Sequence, residues 1–252
     1  MKLSNTSRKD GLLEDCEFWC NLPDGAITSD ATLFFRFISL LNLSFDDVLP
    51  IIFNADQKWQ WDDSNHEDYP IATIDLVAGQ ADYSFVADEN GNSILEIQEV
   101  YVRDAQGKYQ KLTPIDASTG NPQVFAQDSE NTGTPLRYDK FATSVLLDPI
   151  PPDDVEAGMR VVFARTQQAF DPGEGPDDFD PEQTPGTPKP FHRLHSMKAS
   201  HDWLSVNKSE NGTLLANIEK KSVTMGLNLS SHISKRSRDE KTVMRSRPQS
   251  SR

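Results

Sequence analysis

The period of the hydrophobic pattern switches from helix to strand and back again along this chain, and that switch constrains the fold more than any motif. Helical spacing closes on Trp59 and Trp61, and an acidic turn, Asp62-Asp63-Ser64-Asn65, follows. Strand alternation opens at Ile71-Ala72-Thr73-Ile74-Asp75-Leu76-Val77, and Ala78-Gly79-Gln80 leads into Asp82-Tyr83-Ser84-Phe85. The two Trp side chains stand where they can pack one layer on the other. Strand character lasts to Phe170, and helical spacing resumes at Phe191. The expected class is α+β: helical hairpins from both ends of the chain packed with a central antiparallel β-sandwich or barrel-like module.

Taken in order, residues 1–28 read as a polar leader with one short helix around 12–19. Residues 29–61 read as a helical hairpin. Ser29 or Asp30 caps a first helix with Phe34, Phe37, Ile38 and Leu41 on one face, and Asn42 ends it. Ser44-Phe45-Asp46-Asp47 resembles a capping box and opens a second run, with Pro50 as a kink or a first turn.

Residues 71–170 form the β module. Residues 94–102 alternate, with Leu95, Ile97 and Tyr101 opposite Ile94, Val100 and Val102. A turn at 104–107 leads to a strand at 109–113, and the Gly/Asn/Ser/Thr-rich stretch 118–134 is a long loop. A hairpin of 136–138 with 144–147 stops at Pro149-Ile150-Pro151-Pro152, which no central strand tolerates. A last strand covers 159–170, with Met159, Val161 and Phe163 on one face.

Residues 171–190, DPGEGPDDFDPEQTPGTPKP, hold six Pro and three Gly, which forbid regular structure, and six carboxylates, which favour solvation. Residues 191–234 give a second helical hairpin. Phe191, Leu194, Met197, His201 and Leu204 share one face of its first helix, and Leu214, Leu215, Ile218, Met225 and Leu229 share one face of the second. Residues 235–252 form a basic tail, expected to be disordered.

Charge excludes one class of function. The chain carries −14 overall, and residues 235–252 carry +5, so the rest carries −19. An acidic body does not wrap nucleic acid, because phosphate neutralisation needs basic surface. Mean hydropathy is low, −0.58. The richest apolar pieces, 33–43 and 48–53, are each short of the ~18 residues that cross a bilayer, so no membrane partner is expected.

Chemistry does not nominate itself either. Cys16 and Cys20 are the whole thiol inventory, with no nearby pair of ligands to complete a zinc site, and read as a reduced structural pair. His192, His195 and His201 look like a metal run. At 100° per residue, however, His201 lies opposite His192, inside the apolar stripe, and reads as a hydrogen-bonded core histidine. The acidic stretch 171–190 lacks the spacing of a calcium loop. No nucleophile elbow, phosphate loop, dinucleotide fingerprint or zinc-protease motif is present. The expectation is a structural or interaction protein, not an enzyme, with no catalytic residue, no metal and no cofactor.

Several short stretches carry a resemblance. A helix with LLN, the WQWDDSN junction, LVAGQADYSF (76–85), GTPLRYDK (133–140), LLDPIPP (146–152), RVVFAR (160–165) and PFHRLHSMKAS (190–200) together resemble tailed-bacteriophage head-to-tail connector proteins across roughly residues 30–231. The LVAGQ-DY element is the most specific. The resemblance implies a virion structural protein at the head–tail interface, assembled in the bacterial host cytoplasm. It would be an adaptor forming a homo-oligomeric ring, typically of twelve copies, beneath the portal protein. Such a ring docks tail-tube or nozzle proteins and lines a channel through which genomic DNA passes without specific binding.

Two groups of residues then gain candidate roles. Lys235, Arg236, Arg238, Lys241, Arg245, Arg247 and Arg252 are candidates for docking the portal. Asp171, Glu174, Asp177, Asp178 and Asp180 are candidates for reaching a neighbouring subunit. Two alternatives stay open: a tail-tube or tail-completion component, and a ligand-binding β module, for instance for carbohydrate. Aromatics exposed on one sheet face would favour the last, whereas Tyr83, Phe85, Tyr101, Tyr109, Tyr138 and Phe163 fall at core-like positions.

Overall fold

The computed structural model describes residues 1–55, 71–87, 91–104, 106–115, 131–140 and 144–239, the side chains of Ile71 and of 236–239 excepted. The Trp59/Trp61 junction, the acidic turn after it and most of the 118–134 loop lie outside these residues. The fold is α+β, with five α-helices and two four-stranded sheets among the described residues, and neither sheet closes into a barrel. The chain divides into two compact units: a helical one built from both ends of the chain, up to Trp61 and from Ala169 onward, and a β unit between them.

In the helical unit, α1 (Leu12–Cys20), α2 (Ala26–Ser29) and α3 (Ala31–Ala55) come from the first part of the chain. A 3-10 turn at Lys189–Phe191, α4 (Arg193–Asn207) and α5 (Gly212–Asp239) come from the last. The sequence reading of 1–28 as a polar leader is corrected: Leu3, Leu12, Leu13, Cys16, Trp19 and Cys20 lie in the same core cluster as Phe34, Phe37, Met197 and Leu204. Two carboxylates organise that segment. Glu14 accepts from the Ser4 hydroxyl at 2.5 Å and the Asn5 N–H at 3.0 Å. Glu17, almost wholly buried, accepts from the N–H groups of Gly25 and Ile27 at the start of α2. Gly11 is required by close approach, since a Cβ there would lie 2.6 Å from the Asn5 nitrogen.

The expected N-terminal hairpin is one continuous helix. Asp30 caps α3 through the N–H groups of Thr32 and Leu33. Asn42 does not end it, because its side chain is used elsewhere: its amide donates to the Phe170 carbonyl (3.1 Å) and its Oδ1 accepts from the Phe170 N–H (2.8 Å). Ser44 caps nothing and donates back to the Leu41 carbonyl within the helix. Pro50 and Asp46 are both exposed, so the carbonyl that Pro50 leaves without a donor is near solvent and the helix continues. The uninterrupted α3 is, by length and composition, apolar enough to cross a bilayer, contrary to the expectation from the two shorter runs. Its stripe of Phe34, Phe37, Ile38, Leu41, Phe45, Val48 and Ile52 is buried against the unit's other helices.

α4 is the central helix and packs against α1, α3 and α5. A helix surrounded on three sides needs small residues at its contacts, and α4 buries Ser196, Ala199 and Ser200 beside Leu194, Met197 and Leu204. α5 is longer than expected. It runs to Asp239, so Lys235, Arg236 and Arg238 are helical, which corrects the disordered tail at its beginning; Lys241, Arg245, Arg247 and Arg252 lie outside the described residues.

The 171–190 stretch is irregular as expected and its carboxylates are exposed, but other parts of it are packed. Phe179 lies 4.8 Å from the Phe34 ring, Pro185 and Thr187 are buried, and the Gln183 and Pro181 carbonyls accept from the N–H groups of Leu3 and Ser4.

The β unit consists of β1 (Ile71–Leu76), β2 (Asp82–Ser84), β3 (Ile94–Arg103), β4 (Tyr109–Lys111), β5 (Thr113–Pro114), β6 (Arg137–Lys140), β7 (Ser144–Asp148) and β8 (Val155–Arg165). The sheets run β1-β8-β3-β4 and β2-β7-β6-β5, with the short β5–β6 pair parallel and the rest antiparallel. Their inner faces share one apolar core that includes Tyr83, Val145 and Leu147 from one sheet and Val100, Met159, Val161 and Phe163 from the other. The face expected for Met159, Val161 and Phe163 is therefore buried.

Two corrections follow from irregular backbone. The alternation along β3 changes parity at bulges, one of them between Ile97 and Glu99, so Ile97, Val100 and Val102 are buried together and Leu95 is exposed. The last strand is β8, which starts earlier than expected and ends at Arg165; Phe170 belongs to the helical core, 5.1 Å from the Phe45 ring.

Candidate interaction surfaces

Every group that looked chemically active in the sequence has a structural partner. His195, not His201, is the core histidine. Ser44 Oγ spends its proton on the Leu41 carbonyl (2.6 Å), so it accepts from His195 Nδ1–H at 2.9 Å. His195 Nε2 then accepts from the Thr187 hydroxyl at 3.2 Å. This neutral ring is fully buried, and burial lowers its pKa to about 3. Phe45 meets it edge-on at 4.9 Å. His192 Nε2–H donates to the Thr187 carbonyl at 2.7 Å, and burial lowers its pKa as well. His201 sits at the rim, 3.4 Å from the Asp202 carboxylate. The apolar periodicity had pointed to His201 because it could not see that α4 is covered on three sides.

Cys16 and Cys20 are free and buried, and their thiols donate to the Ser196 and Ser200 carbonyls of α4. Burial raises Cys16 well above the ordinary thiol range and Cys20 to about 11, so neither is a ready nucleophile at neutral pH. Asp15 receives four donors at once: Arg193 Nε and Nη2, the Trp19 indole N–H and the Ser196 hydroxyl. The Arg193 guanidinium also lies 4.9 Å above the Trp19 ring. Among the described residues no group of three or more His, Cys, Asp or Glu is placed to hold a metal ion.

What remains is surface. Asp171, Glu174, Asp177, Asp178 and Asp180 are all exposed. The hydrogen bonds of Asp171, Asp178 and Asp180 go to backbone N–H groups of their own turns, at Gly173, Glu174 and Glu182. None of the five forms an ion pair among the described residues. The backbone carrying them runs beside α3, since Phe170 meets Phe45 and Phe179 meets Phe34. α3 adds to this side exposed Phe35, beside Gly175 of the stretch, and exposed Asp46, about 20° from Phe35 round the helix.

α5 has the opposite character, with five Lys/Arg against two Asp/Glu over its length. Its buried arc holds Ile218, Leu229 and Ile233. Roughly 180° round the helix, at 100° per residue, stand Lys220, Val223 and Leu227, the two apolar side chains 57% and 68% exposed. Sequence reading missed this outer stripe, although the signal was present: Val223 and Leu227 fall four residues apart and off the core face.

The β unit presents a third surface. Pairing places Tyr101 beside Arg160 and Lys111, and Tyr109 beside Arg103, on the outer face of the β1-β8-β3-β4 sheet. The Arg160 guanidinium lies 4.8 Å from the Tyr109 ring centre. Tyr101 O–H donates to Glu99, which also pairs with Lys111. Of the aromatics named in the sequence, Tyr83, Phe85, Tyr138 and Phe163 are buried, and only Tyr101 and Tyr109 reach this surface in part.

No protein-family model matches the chain, and no curated protein matches it either.

Proposed function

We propose that the protein is a virion structural protein, a head-to-tail adaptor that forms a ring beneath a phage portal and gives the tail its docking surface. The observation that carries this reading is the pair of oppositely charged faces on the helical unit, each studded with exposed apolar residues, in a molecule whose candidate catalytic groups are held in structural hydrogen bonds. A closed ring needs unlike faces on each subunit, because side-to-side contacts must be heterologous. The acidic body suits a channel wall, since it repels DNA in transit rather than holding it. In this reading the basic end of the chain, from Lys235 to Arg252, docks against the portal.

The test is to mix the purified protein with the portal ring encoded by the same genome and image the mixture by negative-stain electron microscopy. An added ring matching the portal's symmetry is expected. Tubes formed without portal would move the assignment to a tail component. Truncation after Ser234 should weaken portal binding, and unchanged binding would remove the docking role of the basic end.

A ligand-binding β module is the second reading, and the observation favouring it is the partly exposed Tyr101/Tyr109/Arg160 surface. Retention of the protein on a carbohydrate column, lost in Tyr109→Ala, would support it.

A further inference from the structure

We infer that copies of this chain join side to side through the outer stripe of α5 on one copy and the acidic edge formed by α3 and residues 171–182 on the next. This deepens the ring reading and rests on it for the closure of the contact into a ring.

The two surfaces are complementary in charge. Residues 171–182 carry six Asp/Glu and no Lys or Arg, and exposed Asp46 of α3 stands about 20° round the helix from Phe35, which lies beside Gly175. α3 has a single cation, Arg36, while Lys2 engages Glu182 and Lys198 engages Asp47, so five of the six loop carboxylates and Asp46 have no ion-pair partner among the described residues. On α5, Lys220 stands in the stripe and exposed Lys235 follows further along the helix, against Glu219, whereas Lys221 reaches back over the Trp19 ring. Both surfaces also carry apolar anchors. Phe35 is 42% exposed on the acidic side, with Gly175 of the loop beside its ring, and Val223 and Leu227 are exposed on the basic side. A single-signed patch with large apolar side chains inside it is what a protein partner covers, and nucleic acid would leave the acidic half unexplained.

The two surfaces cannot meet within one molecule. α5 packs on α3 and α4 through Ile218, Gly226, Leu229 and Ile233, with Gly226 set against Ile51, and the Lys220/Val223/Leu227 stripe points away from both helices. Two unlike, complementary patches at different places on one unit define a heterologous contact, which propagates rather than stopping at a dimer.

The full-length protein is measured by sedimentation velocity without portal, at low and high salt. Assemblies larger than a dimer are expected at low salt, shrinking as salt screens the contact. Lys220→Glu with Leu227→Glu removes one face, and Glu174→Lys with Asp177→Lys removes the other. All four positions are exposed, and each variant should keep the wild-type melting temperature. Each variant alone should be monomeric, and an equimolar mixture should give one-to-one dimers, because one intact α5 stripe and one intact acidic edge remain. A monomeric wild type, a mixture that does not associate, or assembly blocked by the α5 changes but not by the loop changes would overturn the inference. Portal binding is scored separately. Assembly without portal binding sinks the adaptor and leaves the contact standing, and portal binding by a monomer does the reverse.

Discussion

The helical unit and the β unit are held together by different means. In the helical unit the decisive contacts span the chain: Leu3 to Gln183, Asp15 to Arg193, Cys16 to Ser196 and Ser44 to His195 are each more than 150 residues apart. Many of them are polar and buried. The β unit is one continuous stretch whose core is almost wholly apolar and whose strands pair within it. Loop-closure cost grows only slowly with length, so the helical unit tolerates the insertion between its halves. Neither half, however, has a core without the other.

The strongest way to break this comparison is to separate the pieces. A fragment of residues 69–168 should give a β-type circular dichroism spectrum and a cooperative melt, whereas a fragment of 1–61 should be largely unfolded until a 169–252 fragment is added. Folding of 1–61 alone would show that the ends do not depend on each other. At the level of one side chain, Phe37 is fully buried and stacks on Trp203 at 5.8 Å, so Phe37→Ala should cost about 3–5 kcal/mol in chemical denaturation. Hydrogen exchange should then rise in α3, α4 and α5 while β3 and β8 stay protected. Equal loss in β8 would show the two units to be one cooperative system.

These contrasts also explain what could be read in the sequence. The α3 stripe and the β8 face were legible because period 3.6 and period 2 survive wherever one surface is buried against one neighbour. α4 was only half legible. A helix enclosed on three sides buries Ser196 and Ser200 as readily as Leu204, and its periodicity fades, so His195 was passed over for His201. α1 was legible as a short helix around 12–19, but its place in the core was not, because charged residues surround Leu12, Cys16, Trp19 and Cys20. In 171–190 the prolines signalled irregular backbone correctly, but composition could not tell that Phe179 and Pro185 would be packed. On β3 the pattern failed at a bulge, which shifts parity without leaving a compositional mark. The acidic edge was legible as charge, and its partner stripe on α5 was not, because exposed apolar residues attract notice only once the core face is known.

A gentler probe of the polar interior uses pH. His195 is neutral in the folded protein with a pKa of about 3, against about 6.5 when unfolded, so the unfolded chain binds more protons between those values. Stability should therefore fall as pH drops through that window, by about 2 kcal/mol from this residue between pH 7 and pH 5. His195→Gln keeps a donor and an acceptor for Ser44 and Thr187 but cannot titrate. The variant should lose that part of the pH dependence in urea titrations, and an unchanged slope would mean that the ring is not sealed from solvent.

The finest comparison sets two ion pairs of like chemistry side by side. Asp15 is 11% exposed and serves Arg193, Trp19 and Ser196, whereas Lys111 on the β unit is 54% exposed and pairs with Glu99 at the surface. Removing the Asp15 carboxylate leaves the Trp19 indole N–H without its acceptor and the Ser196 hydroxyl with only the Arg193 carbonyl, in a place water reaches poorly. Asp15→Ala should cost about 1–3 kcal/mol. Removing Lys111 leaves a carboxylate that water and Tyr101 O–H still satisfy, so Lys111→Met should leave the melting temperature unchanged within error. A shift at Lys111 as large as that at Asp15 would mean that the outer sheet face is covered in the native protein, and would turn attention from the helical unit to the Tyr101/Tyr109/Arg160 surface as the site where a partner sits.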